Sequence, residues 1–282
     1  MKDKCEYSEE ELFLIFIAFR GLKKIGKDND QIYIKRLKLE LDRIIEKKFT
    51  NYFLIVWDYI KWSHTVGIMT GPGRGSSGGS LTALCLEITE IDPIEHDLSF
   101  TRFISSIRKD IADFDIDFED ERRDEVFDYL KSKYGENNFS KIITYARFHP
   151  KGVLKDVGRI FSIPSFEVNK MCSMIIERSG GDARASFALS DTFLEFEDAK
   201  RFKEKYPFES EIALGLEGSI RHKSVHAAAG IVCNKEVGML VPITKLKGEI
   251  VTEFEKQQVE DAKLVKHDLL GLKLFHKVLY HL

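Results

Sequence analysis

Between Asp113 and Glu119 the chain reads DFDIDFE, with acids and apolar residues in strict alternation. A period of two is the repeat of a β-strand, whose side chains point to opposite faces in turn. Asp113, Asp115, Asp117 and Glu119 therefore line one face, and Phe114, Ile116 and Phe118 the other. Same-face neighbours on a strand lie only about 6.6–6.8 Å apart. Such an acidic row repels itself, and its carboxylate pKa values rise unless cations neutralise it. A metal-binding face satisfies that need; the alternative is an edge strand whose charges face water. A calcium loop of the EF-hand type fits poorly, because Phe118 stands where its turn requires glycine. Asp268, in the strand-like LVKHDLLGL, is a candidate third ligand. A metal pair for phosphoryl transfer needs carboxylates brought together in space rather than adjacent in sequence.

A second feature precedes the acidic strand. GPGRGSSGGS, Gly71 to Ser80, contains the pattern G-x-G-x-x-G. A dinucleotide fold requires a βαβ context, yet the helix expected after this loop leads into the loop-like TEIDPIEHD. A Walker A loop requires lysine before serine or threonine, and this stretch has no lysine. Two readings stay open: a glycine turn serving the backbone alone, and an anion cradle. In the cradle, backbone N–H groups approach phosphate, Ser76 and Ser77 donate, Arg74 adds charge, and a helix N-terminus at Ser80 follows.

The periodicity predicts helices over Gln31–Lys48, Asn51–Trp62 and Glu121–Tyr134, the last stopped by Gly135. A short extended segment, Ile68–Thr70, leads into the glycine loop. KIITYA reads as a strand and PKGVLKDVGRIF as a helix opened by Pro150. Residues 165–218 read as mostly helical with a break at RSGGDARAS, and AGIVC, IVTEF and LVKHDLLGL read as strands before a terminal helix. The sum is an α+β core of discontinuous sequence interrupted by a helical lobe. Leu12–Phe19 is the longest apolar run, too short to span a membrane and lacking a signal peptide's basic start. Four scattered cysteines without a C-x-x-C pair argue against both structural zinc and a disulfide framework, which fits a reducing cytoplasm.

The formal charge of −3 over 282 residues requires any nucleic-acid affinity to come from local patches. Between Lys141 and Lys170 there are six basic residues against two acids. Lys151, Lys155 and Arg159 recur every four residues and line one helix face, either a track for backbone phosphates or a solvated surface. His149 is a further candidate donor there. Arg221, His222, Lys223 and His226 in RHKSVHAAAG are candidate DNA or structural contacts.

Taken in order, GPGRGSSGGS, DLSFTRF, ADFDIDF, KDVGR, VTEFEK and LVKHDLLGL resemble the palm and thumb of the bacterial replicative DNA polymerase III alpha subunit, the C family of DNA polymerases. The resemblance covers about Leu37 to Leu274. It implies a polymerase beta-like nucleotidyltransferase palm with a mixed β-sheet, interrupted by a helical thumb lobe. Residues 1–146 and 219–282 would form the palm, and residues 147–218 the thumb. It further implies that Asp113, Asp115 and Asp268 are the catalytic carboxylates holding two Mg²⁺ ions. Gly75 and Ser76 match the family's Gly-Ser phosphate motif, and Arg74, Arg102 and Lys266 stand where the family contacts the incoming triphosphate. Asp117 is not one of the essential three. Where the family often has proline before the first catalytic aspartate, this chain has Ala112. The partners implied are primer-template DNA, dNTPs and other polymerase domains or subunits, including fingers and a sliding clamp, in the cytoplasm at the nucleoid and with no membrane. No segment resembles the family's phosphoesterase-like domain, fingers, clamp-binding region or oligonucleotide-binding fold. The expected function is template-directed DNA synthesis, with a split or truncated DNA-binding fragment, inactive without a partner supplying fingers, as the alternative.

Overall fold

The computed structural model describes residues 7–104, 113–176 and 188–273. The backbone divides into two compact units, residues 1–143 with 225–282, and residues 144–224.

In the first unit, α1 spans Glu9–Lys24, α2 Gln31–Glu46 and α3 Thr50–Thr65. Ser8 opens α1 through a capping box with Glu11, each satisfying a backbone N–H of the other's end. Of the apolar run inside α1, Leu14, Ile17 and Ala18 are buried while Leu12, Phe13 and Phe16 are exposed. A short α4, Leu81–Cys85, follows the glycine loop, and α5 covers Arg123–Tyr134 before Gly135, whose φ of 104° suits only glycine.

Six strands, β1 (Asp115–Glu119), β2 (Phe139–Arg147), β3 (Ile220–Val232), β4 (Ile243–Leu246), β5 (Glu249–Thr252) and β6 (Lys266–Leu272), form one mixed sheet in the order β1-β6-β3-β2-β5-β4. Pairing is parallel for β1 with β6 and antiparallel for β3 with β6. The extended segment expected at Ile68–Thr70 covers the outer edge of β1, where Gly71 N–H donates to the Asp117 carbonyl and Glu119 N–H to that of Met69. The apolar face of β1 rests on α3: the ring of Phe114 lies 5.0 Å from that of Phe53, and Phe118 lies 6.2 Å from Tyr59. Burying that aromatic face fixes the acidic residues on the other side of the sheet.

The sequence reading and the structure differ in places. RHKSVHAAAG lies inside the 13-residue β3, because a strand needs no apolar alternation where most of its residues stay accessible. The four-residue β4 at the sheet edge carried too few residues to register as a period. The expected break at RSGGDARAS and the terminal helix lie outside the described residues.

The second unit packs α6 (Pro150–Ile160), α7 (Ser165–Ser173), α8 (Leu189–Glu195), α9 (Glu197–Lys205) and α10 (Pro207–Leu216) around Val153, Val157, Met171, Leu189, Phe193 and Ala213. Buried Glu217 accepts the N–H groups of Ala188 and Leu189, supplying the start of α8 with an acceptor from a distant point in the chain.

At Gly21 in α1, an added Cβ would lie 1.9 Å from the Cys85 carbonyl oxygen. Alanine is the better helix former by about 1 kcal/mol, but backbone overlap of that size outweighs the preference. Gly21→Ala is therefore expected to lower the urea unfolding midpoint by the equivalent of about 1–3 kcal/mol.

Candidate active site

Parallel pairing sets Asp115 directly beside Asp268. Counting back along the same register places Asp113, just before β1, beside Lys266, so four side chains stand as a square on one face of two strands. One oxygen each from Asp113, Asp115 and Asp268 fall within 4.8 Å of one another. The Lys266 ammonium occupies the gap, donating to Oδ2 of Asp113 and, at 2.7 Å, to Oδ2 of Asp268. Lys256, on α11 (Lys256–Asp261), approaches the same Asp268 oxygen at 3.5 Å.

Burial raises the Asp113 pKa, because desolvation penalises the carboxylate more than Lys266 relieves it, with Asp268 and Asp115 adding repulsion. Burial opposes charge on Lys266 as well, but hydrogen bonds and attraction from Asp113 and Asp268 prevail and its pKa is raised. The lysine is thus held as an ammonium. Oδ1 of Asp113 and Oδ1 of Asp268 are both buried without a hydrogen-bond partner. Unpartnered buried carboxylate oxygens are costly and suit a hard cation, which takes oxygen ligands. The donor set therefore fits a divalent metal of the magnesium type. Beneath the square, His267 points the other way, packed at 5.3 Å from the ring of Tyr52 and 5.8 Å from that of Tyr59, and burial depresses its pKa to about 4. On the antiparallel side, the register partner of Asp268 is Ala229, whose single methyl group leaves the carboxylate room.

The glycine loop runs beside this square. A Cβ on Gly75, whose φ is 62°, would lie 3.8 Å from Oδ2 of Asp115. Gly75 and Ser76 are exposed at the crest of the loop, whereas Ser77 to Ser80 are buried. Arg74 is held by Asp117 through a 3.0 Å ion pair. Asp117 thereby has a position-setting contact of its own, two residues beyond Asp115 on the same strand. Arg102 ends a 3₁₀ turn, Phe100–Arg102, with its side chain exposed.

Two parts of the expected anion cradle are already occupied. The Ser77 hydroxyl donates to the Arg74 carbonyl at 2.7 Å. The N-terminus of α4 faces a fully buried carboxylate instead of solvent: Glu40 accepts from Leu81 N–H at 3.0 Å, Thr82 N–H at 2.9 Å and the Ser80 hydroxyl at 2.9 Å. Arg36 balances Glu40 with a 2.7 Å ion pair and donates to the carbonyls of Gly79 and Leu98. Sequence reading overlooked this lock. Its signal was an acid, Glu40, at the same helical spacing as buried Leu37 and Leu41, with Arg36 four residues earlier. A charge at a core position of a helix demands a partner.

In the second unit, Lys151, Lys155 and Arg159 all lie on the exposed side of α6, opposite buried Val153, Leu154 and Val157. Arg159 contacts Asp156 at 3.2 Å, and Arg221 reaches the other oxygen of Asp156 at 2.8 Å. His226 accepts the N–H groups of Ala228 and Ala229 at Nδ1, a local structural contact within the first unit. Among the described residues, no helix is long and apolar enough to cross a membrane.

An acidic strand paired in parallel with the strand that carries Asp268, beside a glycine-serine loop, has the donor types that divalent metal and phosphate call for. Comparison with known proteins narrows the class. The profile of the bacterial DNA polymerase III alpha NTPase domain matches residues 13–271. The chain is 39% identical over 265 residues to the DNA polymerase III subunit alpha of Bacillus subtilis, covering 93% of this chain and 23% of the relative. It is 39% identical over 262 residues to that of Ureaplasma parvum, covering 91% and 26%, and 37% identical over 273 residues to that of Treponema pallidum, covering 95% and 23%. The chain belongs to the bacterial DNA polymerase III alpha family, and spans about a quarter of the length of these relatives.

Glu40→Gln keeps the shape of the lock and removes its charge, turning an acceptor oxygen into a donor that faces other donors. The expected cost is about 1–3 kcal/mol, that of a buried group left unsatisfied. Hydrogen exchange should localise the loss as faster exchange at the amides of Leu81 and Thr82.

Proposed function

We propose that this chain is the palm and thumb portion of a template-directed DNA polymerase, transferring a nucleotidyl group from a dNTP to a primer 3′-hydroxyl. Residues 1–146 and 219–282 are assigned to the palm and residues 147–218 to the thumb. The observation that carries the reading is the grouping of Asp113, Asp115 and Asp268 within 4.8 Å, two of them with buried, unpartnered oxygens. Family membership supplies the reaction class. The three aspartates would hold two Mg²⁺ ions, which when bound would lower the pKa of the attacking hydroxyl and offset charge on the transferred phosphate.

The chain's own groups act by position and electrostatics. Backbone N–H groups at Gly75 and Ser76 face the phosphates of the incoming nucleotide, and the closeness of Gly75 to Asp115 sets the triphosphate beside the carboxylates. Arg74, steadied by Asp117, and Arg102 offset charge on the leaving pyrophosphate together with Lys266. Asp117 serves the loop rather than the metal. On α6, Lys151, Lys155 and Arg159 contact the backbone of primer-template DNA. The remaining partners are polymerase domains or subunits that supply fingers and a sliding clamp.

A second reading is a DNA-holding fragment that acts only with a partner chain supplying fingers. Primer extension separates the two. In the complete polymerase Asp115→Asn is expected to abolish extension while leaving the far-ultraviolet circular dichroism unchanged, and retained extension removes the metal assignment. Extension by the isolated chain would exclude the second reading.

The α6 assignment has its own measure. Changing Lys151, Lys155 and Arg159 together to glutamine should flatten the slope of log affinity for duplex DNA against log salt by about 0.9 for each DNA phosphate that is no longer neutralised. An unchanged slope would return this face to an ordinary solvated surface.

A further inference from the structure

Lys266 is one corner of the square, and its ammonium reaches across to two of the three aspartates. Its side chain is 5% exposed, and its ammonium bridges Oδ2 of Asp113 and Oδ2 of Asp268. Divalent metals take their oxygen ligands at about 2.0–2.6 Å. An ammonium bonded to both carboxylates fills the space that a metal shared between them requires. The square holds three carboxylates and one ammonium, and its unpartnered Oδ1 atoms show that the lysine satisfies it only in part. Lysine carries a compact charge on a flexible four-carbon stem, so its head can leave one set of acceptors for another without movement of the strand.

Resting on the proposed function above, we infer that Lys266 is a resident counter-cation of the carboxylate site, exchanged for metal when its ammonium moves onto the phosphates of an incoming nucleotide. The lysine keeps the buried aspartates paired while the site waits. Metal alone must displace an ammonium whose remaining carboxylate neighbour is Glu260, at 3.9 Å, and binds weakly. A triphosphate offers that ammonium a second anionic partner, so metal and nucleotide each strengthen the binding of the other, as linkage requires. The exchange disfavours a divalent ion settling between the carboxylates before substrate arrives.

A rival role has the opposite sign. If Lys266 merely holds Oδ2 of each aspartate so that the Oδ1 atoms can ligate, removing it disorders the ligands and weakens metal binding. Mn²⁺ alone, titrated without nucleotide and read by electron paramagnetic resonance, distinguishes them in the 282-residue chain. Lys266→Met is expected to bind Mn²⁺ about tenfold more tightly than the unsubstituted chain, and Asp115→Asn to lose the site. Unchanged or weaker binding by Lys266→Met overturns the exchange. Mn²⁺ binding by neither the unsubstituted chain nor Lys266→Met removes the metal reading itself, a separate failure. Should Lys266→Met not fold, nuclear magnetic resonance of the unsubstituted chain labelled with ¹⁵N-lysine decides the matter. The ammonium signal of Lys266, assigned through Lys266→Arg, is expected to shift as Mg²⁺ saturates the site, and a signal that stays fixed while Mg²⁺ binds overturns the exchange.

Discussion

Parallel pairing of β1 with β6 is the constraint on which the site depends. The register that sets Asp115 beside Asp268 also decides which side of each strand meets α3. A slip of one residue would send Phe114 and Phe118 to the solvent side and the aspartates into the aromatic core against Tyr52 and Tyr59. That core and the carboxylate face stabilise one another through a single choice of register. Buried rings beneath the sheet hold the acids on its opposite face.

The glycine loop is held by a different principle. A loop that must bring backbone close to an anion cannot be packed by its own side chains, since most of them are hydrogen atoms or hydroxyl groups. Support comes from below, where Arg36 and Glu40 on α2 grip Gly79, Ser80, Leu81 and Thr82. The dipole at the start of α4 is consumed in fastening the loop, leaving Gly75 and Ser76 exposed at its crest. Glu217 repeats the arrangement at the start of α8 in the second unit. At α8 the distant buried carboxylate stands in for a local cap, whereas at α4 it adds to one, the Ser80 hydroxyl that accepts from Ala83 N–H.

Much of the architecture was legible because its signals are local. Alternation identified β1, helical spacing identified α2 and α3, Pro150 opened α6 and Gly135 closed α5. What escaped was non-local or unpatterned. The acidic face of β1 could be read from Asp113, Asp115 and Asp117, but pairing with Asp268 follows from sheet order, which no periodicity encodes. The Arg36–Glu40 lock grips loop residues 40 to 43 positions further along the chain, and looked like ordinary surface charge on α2. Most of β3 stays at least partly accessible, so its first half carried no hydrophobic pattern to find. The position of Lys266 among the carboxylates was likewise invisible, because its neighbour Asp113 lies 153 residues away.

That separation has a temporal consequence. Asp113 and Asp115 leave the ribosome long before Lys266 and Asp268, with the whole helical unit translated between them. Domains fold largely as they are made, and distant pairings wait for their second partner. While the chain grows, β1 can bury its aromatic face on α3, yet no nascent polypeptide ending before Lys266 contains the complete carboxylate square. β1, at one edge of the sheet, must await β6, the last of the six described strands to be made.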